Sequence, residues 1–159
     1  MNLIGTLEVG AGGAADIEFI NIPQVADGNL LLLMSLRSDE GNTREIITQR
    51  VGGAAANGNY LARTDSGAIS GGNGTSYIIP ASQIDNDIFA LTKFLIFDYT
   101  STNNKLTQIE NVYVEKVNNN GDSKMYLQNE RFYSTSAVTS VKFSGDFVEN
   151  CTASLYIIS

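Results

Sequence analysis

A glycine-rich stretch near the start of the chain is the first candidate for chemistry. Residues 10–15 read Gly-Ala-Gly-Gly-Ala-Ala and fit the glycine pattern of a dinucleotide-binding loop. Such a loop binds a pyrophosphate only when a helix begins directly after it, because the N–H groups of the first helical turn hold the phosphate oxygens. Here Asp16–Ile20 follows, and its alternation of polar and apolar residues is typical of a strand. We therefore expect a hairpin loop rather than a nucleotide site.

Two clusters of side-chain oxygens have the composition of a cation site. Residues 118–122 carry Asn, Asn and Asp at alternate positions, like the first ligands of a calcium loop. Ser123 replaces the glycine that this loop requires, and Asn129 replaces its bidentate glutamate. Residues 85–87, Asp-Asn-Asp, form a second oxygen-rich segment. Solvated Asx turns are the commoner role of both, so we expect no metal and no cofactor.

The residue types exclude several kinds of enzyme. The chain has no His, which excludes imidazole bases, the Ser-His-Asp triad and histidine metal ligands. Its one cysteine, Cys151, lies in an alternating segment and is expected to be a buried free thiol. Acidic pairs such as Glu110 with Glu115 suit a glycosidase only at a fixed separation, which the sequence does not supply. We therefore predict no catalytic residues and a protein that is not an enzyme.

Length and charge bound the class of protein. With 159 residues the chain has the size of one domain, and we expect a single β-sandwich domain over residues 1–159. Ten basic and 17 acidic residues give a net charge of −7, which argues against binding to nucleic acid. No apolar run approaches the roughly 20 residues of a membrane-spanning helix. The first residues lack the basic segment of a signal peptide, so we expect synthesis in the cytoplasm and no membrane partner.

The dominant period along the chain is two, as in β-strands. Asp16–Ile20, Gln108–Val117 and Thr152–Ile158 alternate, Leu30–Arg37 is a nearly continuous apolar run, and clusters of Gly, Asn, Ser and Asp separate such segments. Shorter strands are predicted at 124–127 and 131–134. No stretch of eleven residues keeps the spacing of an amphipathic helix. The pattern predicts an all-β fold, an antiparallel β-sandwich or barrel.

Two predicted strands are apolar on both faces, which points to an interface. In the first strand the predicted core face consists of Leu30, Leu32, Met34 and Leu36, which leaves Leu31 and Leu33 outside. In Ile88–Tyr99 the predicted core face consists of Phe89, Leu91, Leu95, Phe97 and Tyr99, which leaves Phe94 and Ile96 outside. A monomer rarely exposes so much apolar surface, so Leu31, Leu33, Phe94 and Ile96 form the predicted interface. The alternative is that a loop of the same chain, around residues 51–75, covers this face.

Three parts of the sequence share a pattern with a known family. In residues 17–38 an Ile22-Pro23 turn precedes a strand that ends at Arg37. The second part is residues 94–105, and the third comprises residues 137–143, 145–148 and 153–158, with Leu-Tyr-Ile-Ile at its end. Together these parts resemble the small structural proteins of tailed-phage virions, in particular the capsid decoration (cement) proteins of jelly-roll type.

The resemblance implies a fold and a function. It implies a jelly-roll-like β-sandwich on the outer surface of a virion capsid, with the major capsid protein as partner, a homotrimeric state and no catalytic residues. The apolar face described above would then meet either another copy or the capsid. The alternative is a tail or fibre component whose tyrosines bind a host-surface glycan: Tyr60, Tyr77, Tyr126 and Tyr133. A jelly-roll enzyme is disfavoured, since metal sites of the cupin kind need histidines.

Overall fold

The computed structural model describes residues 1–37, 48–51, 54–55, 58–63, 69–74, 89–117, 120–133 and 135–159. All regular elements in these ranges are strands, which confirms the predicted all-β class. The twelve strands are β1 Asn2–Glu8, β2 Ala14–Phe19, β3 Asn29–Leu36, β4 Thr48–Val51, β5 Ala54–Ala55, β6 Gly58–Arg63, β7 Ile69–Gly74, β8 Ala90–Phe97, β9 Lys105–Val117, β10 Asn120–Phe132, β11 Val141–Phe147 and β12 Thr152–Ile158.

These strands form two antiparallel sheets. The large sheet has eight strands in the order β1-β12-β3-β8-β9-β10-β6-β7, and the small sheet has four in the order β2-β11-β4-β5. The ribbon of β9 and β10 is continuous from Asn120 opposite Val117 to Phe132 opposite Lys105. The strands predicted at 124–127 and 131–134 are confirmed as strand as far as Phe132, but the predicted break between them was wrong, since both segments belong to one long strand.

The pairing of the strands is nested along the chain. β1 pairs with β12, β2 with β11, β3 with β8 and β4 with β5, so the first part of the chain folds back against the last. Two further pairings join these pairs within each sheet: β12 pairs with β3 in the large sheet, and β11 pairs with β4 in the small sheet. The hairpins β6-β7 and β9-β10 lie beyond β8 and widen the large sheet.

One apolar core lies between the two sheets. β3 contributes Leu30, Leu32, Met34 and Leu36, all of them 3% exposed or less, which confirms the predicted core face of this strand. Phe94 of the large sheet meets Phe143 of the small sheet edge to face, with ring centroids 5.6 Å apart. Side chains at every second position of a strand reach the same face, so β12 adds Ala153, Leu155 and Ile157 to this core.

Tyr99 fixes the loops at one end of the sandwich. Its hydroxyl donates to the carbonyl of Pro23 at 2.5 Å and accepts a hydrogen bond from the N–H of Val25 at 2.9 Å. A Cβ at Gly28 would lie 2.9 Å from the Tyr99 ring, so only glycine allows this close approach. The N–H of Val138 also donates to the Tyr99 carbonyl at 2.8 Å. The side chain of Tyr99 thereby holds the loop of residues 23–28, and its main chain holds the loop that contains Val138.

Lys105 fixes the adjacent turn between β8 and β9. Its side chain is buried, and its ammonium donates to the carbonyls of Ser101 at 2.6 Å and Asn103 at 2.7 Å. Burial lowers the pKa of this ammonium, and the charge of Asp98 opposes that shift. The ammonium has several N–H donors, so it can satisfy both carbonyl oxygens where they converge.

Candidate interaction surface

The structure separates the four residues of the predicted interface. Leu33 faces outward from β3 and is 42% exposed, as predicted. Leu31 lies on the same outer face but is only 8% exposed, between its strand partners Leu95 and Tyr156. Phe94 and Ile96 are fully buried in the core, so their assignment to an outer face was wrong.

The error arises from the phase of β8. Its inward positions are the even ones, from Ala90 to Ile96, and its outward positions include Leu91 and Phe97. The prediction extended the strand to Tyr99 and placed all its odd-numbered apolar residues inside. The strand ends at Phe97, and Asp98 turns the chain with a φ of 47°, so Tyr99 reaches the core independently of the alternation.

A shallow apolar groove lies on the outer face of the large sheet. We call it the outer groove and define it by its side chains on four adjacent strands: Leu33 of β3, Leu91 and Lys93 of β8, Glu110 and Val112 of β9, and Met125 and Leu127 of β10. Its volume is about 570 Å³. Its apolar side chains are 39–64% exposed, which is unusual for a contiguous group of this kind on a monomer.

A single ion pair lies in the middle of the outer groove. The ammonium of Lys93 contacts the two carboxylate oxygens of Glu110 at 3.2 and 3.3 Å. Both side chains are nearly half exposed, so the pair adds little to the stability of the fold. Glu110, considered above as half of a carboxylate pair, is thus engaged by a lysine, and the side chain of Glu115 lies outside the described residues. The groove as a whole carries no net charge.

The described parts of the segment around residues 51–75, considered above as a cover for this face, lie elsewhere. Residues 58–63 and 69–74 are strands β6 and β7, and they continue the large sheet beyond β10. These two strands therefore lie in the same sheet as the groove, beside it, and do not cover its outer face. The outer groove is open in the part of the chain that the structure describes.

The inward face of β8, β9 and β10 carries an unexpected group of buried polar residues. Thr92, Thr107, Asn111, Gln128 and Glu130 are each 3% exposed or less. The Asn111 amide donates to the Thr92 hydroxyl at 2.5 Å, and the Gln128 amide donates to the Glu130 carboxyl. Burial raises the pKa of Glu130 to about 8, and the hydrogen bond from Gln128 opposes the shift.

The glycine-rich segment is a loop between two strands, as predicted, but the prediction of a hairpin was wrong, because β1 pairs with β12 in the large sheet and β2 pairs with β11 in the small sheet. The loop after β1 leads directly into β2, with Gly12 and Gly13 at positive φ. A Cβ at Gly13 would lie 2.6 Å from the carbonyl oxygen of Phe147, so a side chain there would collide with β11. The loop thus lets β2 approach β11 closely, and this packing accounts for Gly13, whereas Gly12 is favoured by its positive φ alone.

The remaining predicted positions have mixed outcomes. Cys151 is a buried thiol, as predicted; its sulfur accepts a hydrogen bond from the main-chain N–H of Arg37 at 3.1 Å and donates one to the main-chain carbonyl of Arg37 at 3.2 Å. Residues 85–87 and 118–119 lie outside the described residues.

Within the described ranges, acidic and cysteine side chains form no group of three that would hold a metal ion. Nor does any helix in those ranges have the length and hydropathy needed to cross a membrane.

Comparisons with known proteins add no relative. The sequence matches no model of a known protein family and no curated protein.

Proposed function

We propose that this protein is a non-enzymatic structural component of a phage virion that decorates the outer capsid surface. In this role it binds the major capsid protein and bridges neighbouring subunits. The observation that carries the proposal is the nested pairing of β1 with β12, β2 with β11, β3 with β8 and β4 with β5. It gives two sets of four strands, β1-β12-β3-β8 within the large sheet and β2-β11-β4-β5 in the small sheet, and this order supports a jelly-roll arrangement. The sequence resemblance to capsid decoration proteins supports the same fold and the same role.

The physical basis of a cementing role is preferential binding. A protein that binds the assembled shell and not the separated subunits stabilises the shell by mass action, in proportion to the logarithm of its concentration over the dissociation constant. Side chains that are already fixed lose little conformational freedom on binding. The loops tied together by Tyr99 and Lys105 meet that requirement at one end of the sandwich.

The test uses virus particles that carry the gene for this chain. We expect the protein on the capsid shell in a copy number comparable to that of the capsid subunits, measured by quantitative mass spectrometry and by labelled electron microscopy. Particles without it should release their genome at a lower temperature, and purified protein added back should restore the original temperature. A few copies located at the tail would contradict the proposal.

A second candidate function is glycan binding by a tail or fibre component, and Tyr133 favours it. The Tyr133 ring is 54% exposed, and the Arg131 guanidinium lies 5.1 Å from its centroid. Beside Arg131 a groove of about 390 Å³ is lined by Asn103, Asn104 and Leu106. An exposed aromatic ring beside amide groups is suited to stacking on a sugar and to hydrogen bonding with its hydroxyls. Binding to a glycan array that Tyr133→Ala abolishes would favour this function over the first.

A further inference from the structure

We propose that the outer groove is a self-association surface, on which a second copy of this chain packs face to face. The two copies are related by a two-fold axis that runs along the strands, between β8 and β9. The inference concerns the purified protein alone and holds or fails independently of a role on a capsid.

The register of the sheet makes the groove complementary to itself. Leu33, Lys93, Glu110 and Leu127 form one row across β3, β8, β9 and β10. A rotation of 180° about a line between β8 and β9 places Lys93 of one copy over Glu110 of the other, and Leu33 over Leu127. Each contact occurs twice, as the isologous interface of a symmetric dimer requires.

Two apolar pairs on either side of this row follow the same symmetry, whereas the row of Leu95 and Gln108 between them places an apolar side chain over an amide. In the next row along the strands, Leu91 and Val112 are direct partners. The rotation places Leu91 of one copy over Val112 of the other copy, and the reverse contact forms on the other side of the axis. At the opposite end Phe97 and Leu106 are also partners across β8 and β9, and they exchange in the same way. These four side chains are 40–64% exposed in the single chain. Two sheets packed in this way bury their facing side chains in a layer about 10 Å thick.

Charge favours a second copy over an unlike partner. The chain carries a net charge of −7, so two copies repel each other unless the surfaces that meet are neutral. The outer groove meets that condition, since its one cation and one anion balance. A foreign partner has no need of a surface whose left and right halves complement each other, whereas a second copy requires one.

The arrangement differs from the trimer that the sequence resemblance implies. In a closed pair, both lysines meet both glutamates across the axis, and no face of the groove is left open. A ring of three gives each copy two different contact surfaces, and the mirrored rows of one face do not supply them. We therefore expect a dimer.

The first experiment measures the mass of the purified chain in solution. Light scattering at tens of micromolar should give twice the chain mass of 17.1 kDa. Leu91→Asp places a carboxylate over the apolar row and should raise the dissociation constant at least about tenfold. Ile20→Asp is the matched control, because Ile20 is also 64% exposed but follows β2 of the small sheet, and this variant should remain dimeric. Circular dichroism confirms that both variants are folded.

The second experiment tests the predicted charge contacts. Lys93→Glu and Glu110→Lys each give the groove two like charges, so each variant alone should dissociate. An equal mixture of the two should associate again, because every contact across a two-fold axis then joins opposite charges. A ring of three built from two variants leaves at least one contact between like charges.

Several outcomes would overturn the proposal. A wild-type monomer at these concentrations, a trimer, or a dimer that Leu91→Asp leaves intact would each exclude the two-fold contact. Failure of the mixed variants to associate would do the same. A monomer that loses capsid binding on Leu91→Asp would assign the groove to the capsid instead.

Discussion

Among the described residues, Glu130 is the one whose pKa is shifted most by its surroundings. Its pKa rises from an ordinary value of 4.5 to about 8, because burial on the inward face of β10 disfavours the carboxylate. The native state therefore holds a proton that the unfolded chain releases as the pH rises above 4.5. The stabilising contribution is complete below that value and is lost as the pH rises towards about 8.

We expect Glu130→Gln to flatten this pH dependence. Glutamine keeps the shape and neutral charge of the protonated acid, and its carbonyl accepts the hydrogen bond from Gln128. The free energy of unfolding of the wild type should fall between about pH 5 and pH 8, whereas that of the variant should stay nearly constant and exceed the wild-type value at pH 8. Urea unfolding at a series of pH values measures both.

Glu8→Gln provides the control for this comparison, since Glu8 is exposed on β1. This variant should keep the wild-type slope. Asp16 acts in a separate range, because its hydrogen bonds from Lys142 and Ser144 lower its pKa, and the stability that it adds is lost only in more acidic solution. A wild-type stability that does not change between about pH 5 and pH 8 would contradict the assignment to Glu130.

At the scale of a single strand, the two faces of β8 should differ sharply in their response to truncation. Phe94→Ala removes a ring from the contact with Phe143 and should cost about 3–5 kcal/mol of unfolding free energy. Leu91→Ala, three positions earlier on the opposite face, should cost less than about 1 kcal/mol. Chemical unfolding at a concentration low enough for both variants to be monomeric measures the difference, since Leu91 is exposed only in the single chain. Similar losses for the two would mean that the phase of β8 is wrong.

The strands differ in how far their sequence predicts their structure. In β3 the even positions are uniformly apolar, and Ser35 and Arg37 mark the other face, so the core side could be predicted correctly. In β8 both faces are apolar, and the count of aromatic residues favoured the wrong one. Lys93 indicates that the odd positions of β8 face outward, because a charged side chain rarely lies inside a sandwich.

Neither the outer groove nor the group of buried polar residues could be predicted from the sequence in this way. β10 was predicted as two fragments because Gln128 and Glu130 interrupt its apolar pattern, yet both are buried. The groove depends on the neighbours of each strand, and pairings such as Asn2 with Ile157 join residues from the two ends of the chain. Alternation within a strand predicts which residues share a face, but it does not predict which strands lie side by side.

At the scale of the whole molecule, the nested pairing should make unfolding a single event. β12 lies between β1 and β3, and β11 lies between β2 and β4, so neither sheet can lose one half of the chain and keep the other intact. The added ribbon of β9 and β10 shares the same core through Ile109 and Phe132. Because the described strands share one core, we expect them to unfold in one two-state transition.

Calorimetry at a fixed protein concentration tests this prediction. We expect one heat-absorption peak with an enthalpy of about 110 kcal/mol near 60 °C and equal calorimetric and van't Hoff values. Ile17→Ala in the small sheet and Ile109→Ala in the added ribbon each remove a side chain that is 3% exposed or less, at a cost of about 2–5 kcal/mol. Both variants should shift the whole peak to lower temperature, because the two sites belong to one cooperative unit. Two peaks, of which Ile109→Ala moves only one, would show that the ribbon unfolds separately from the nested strands.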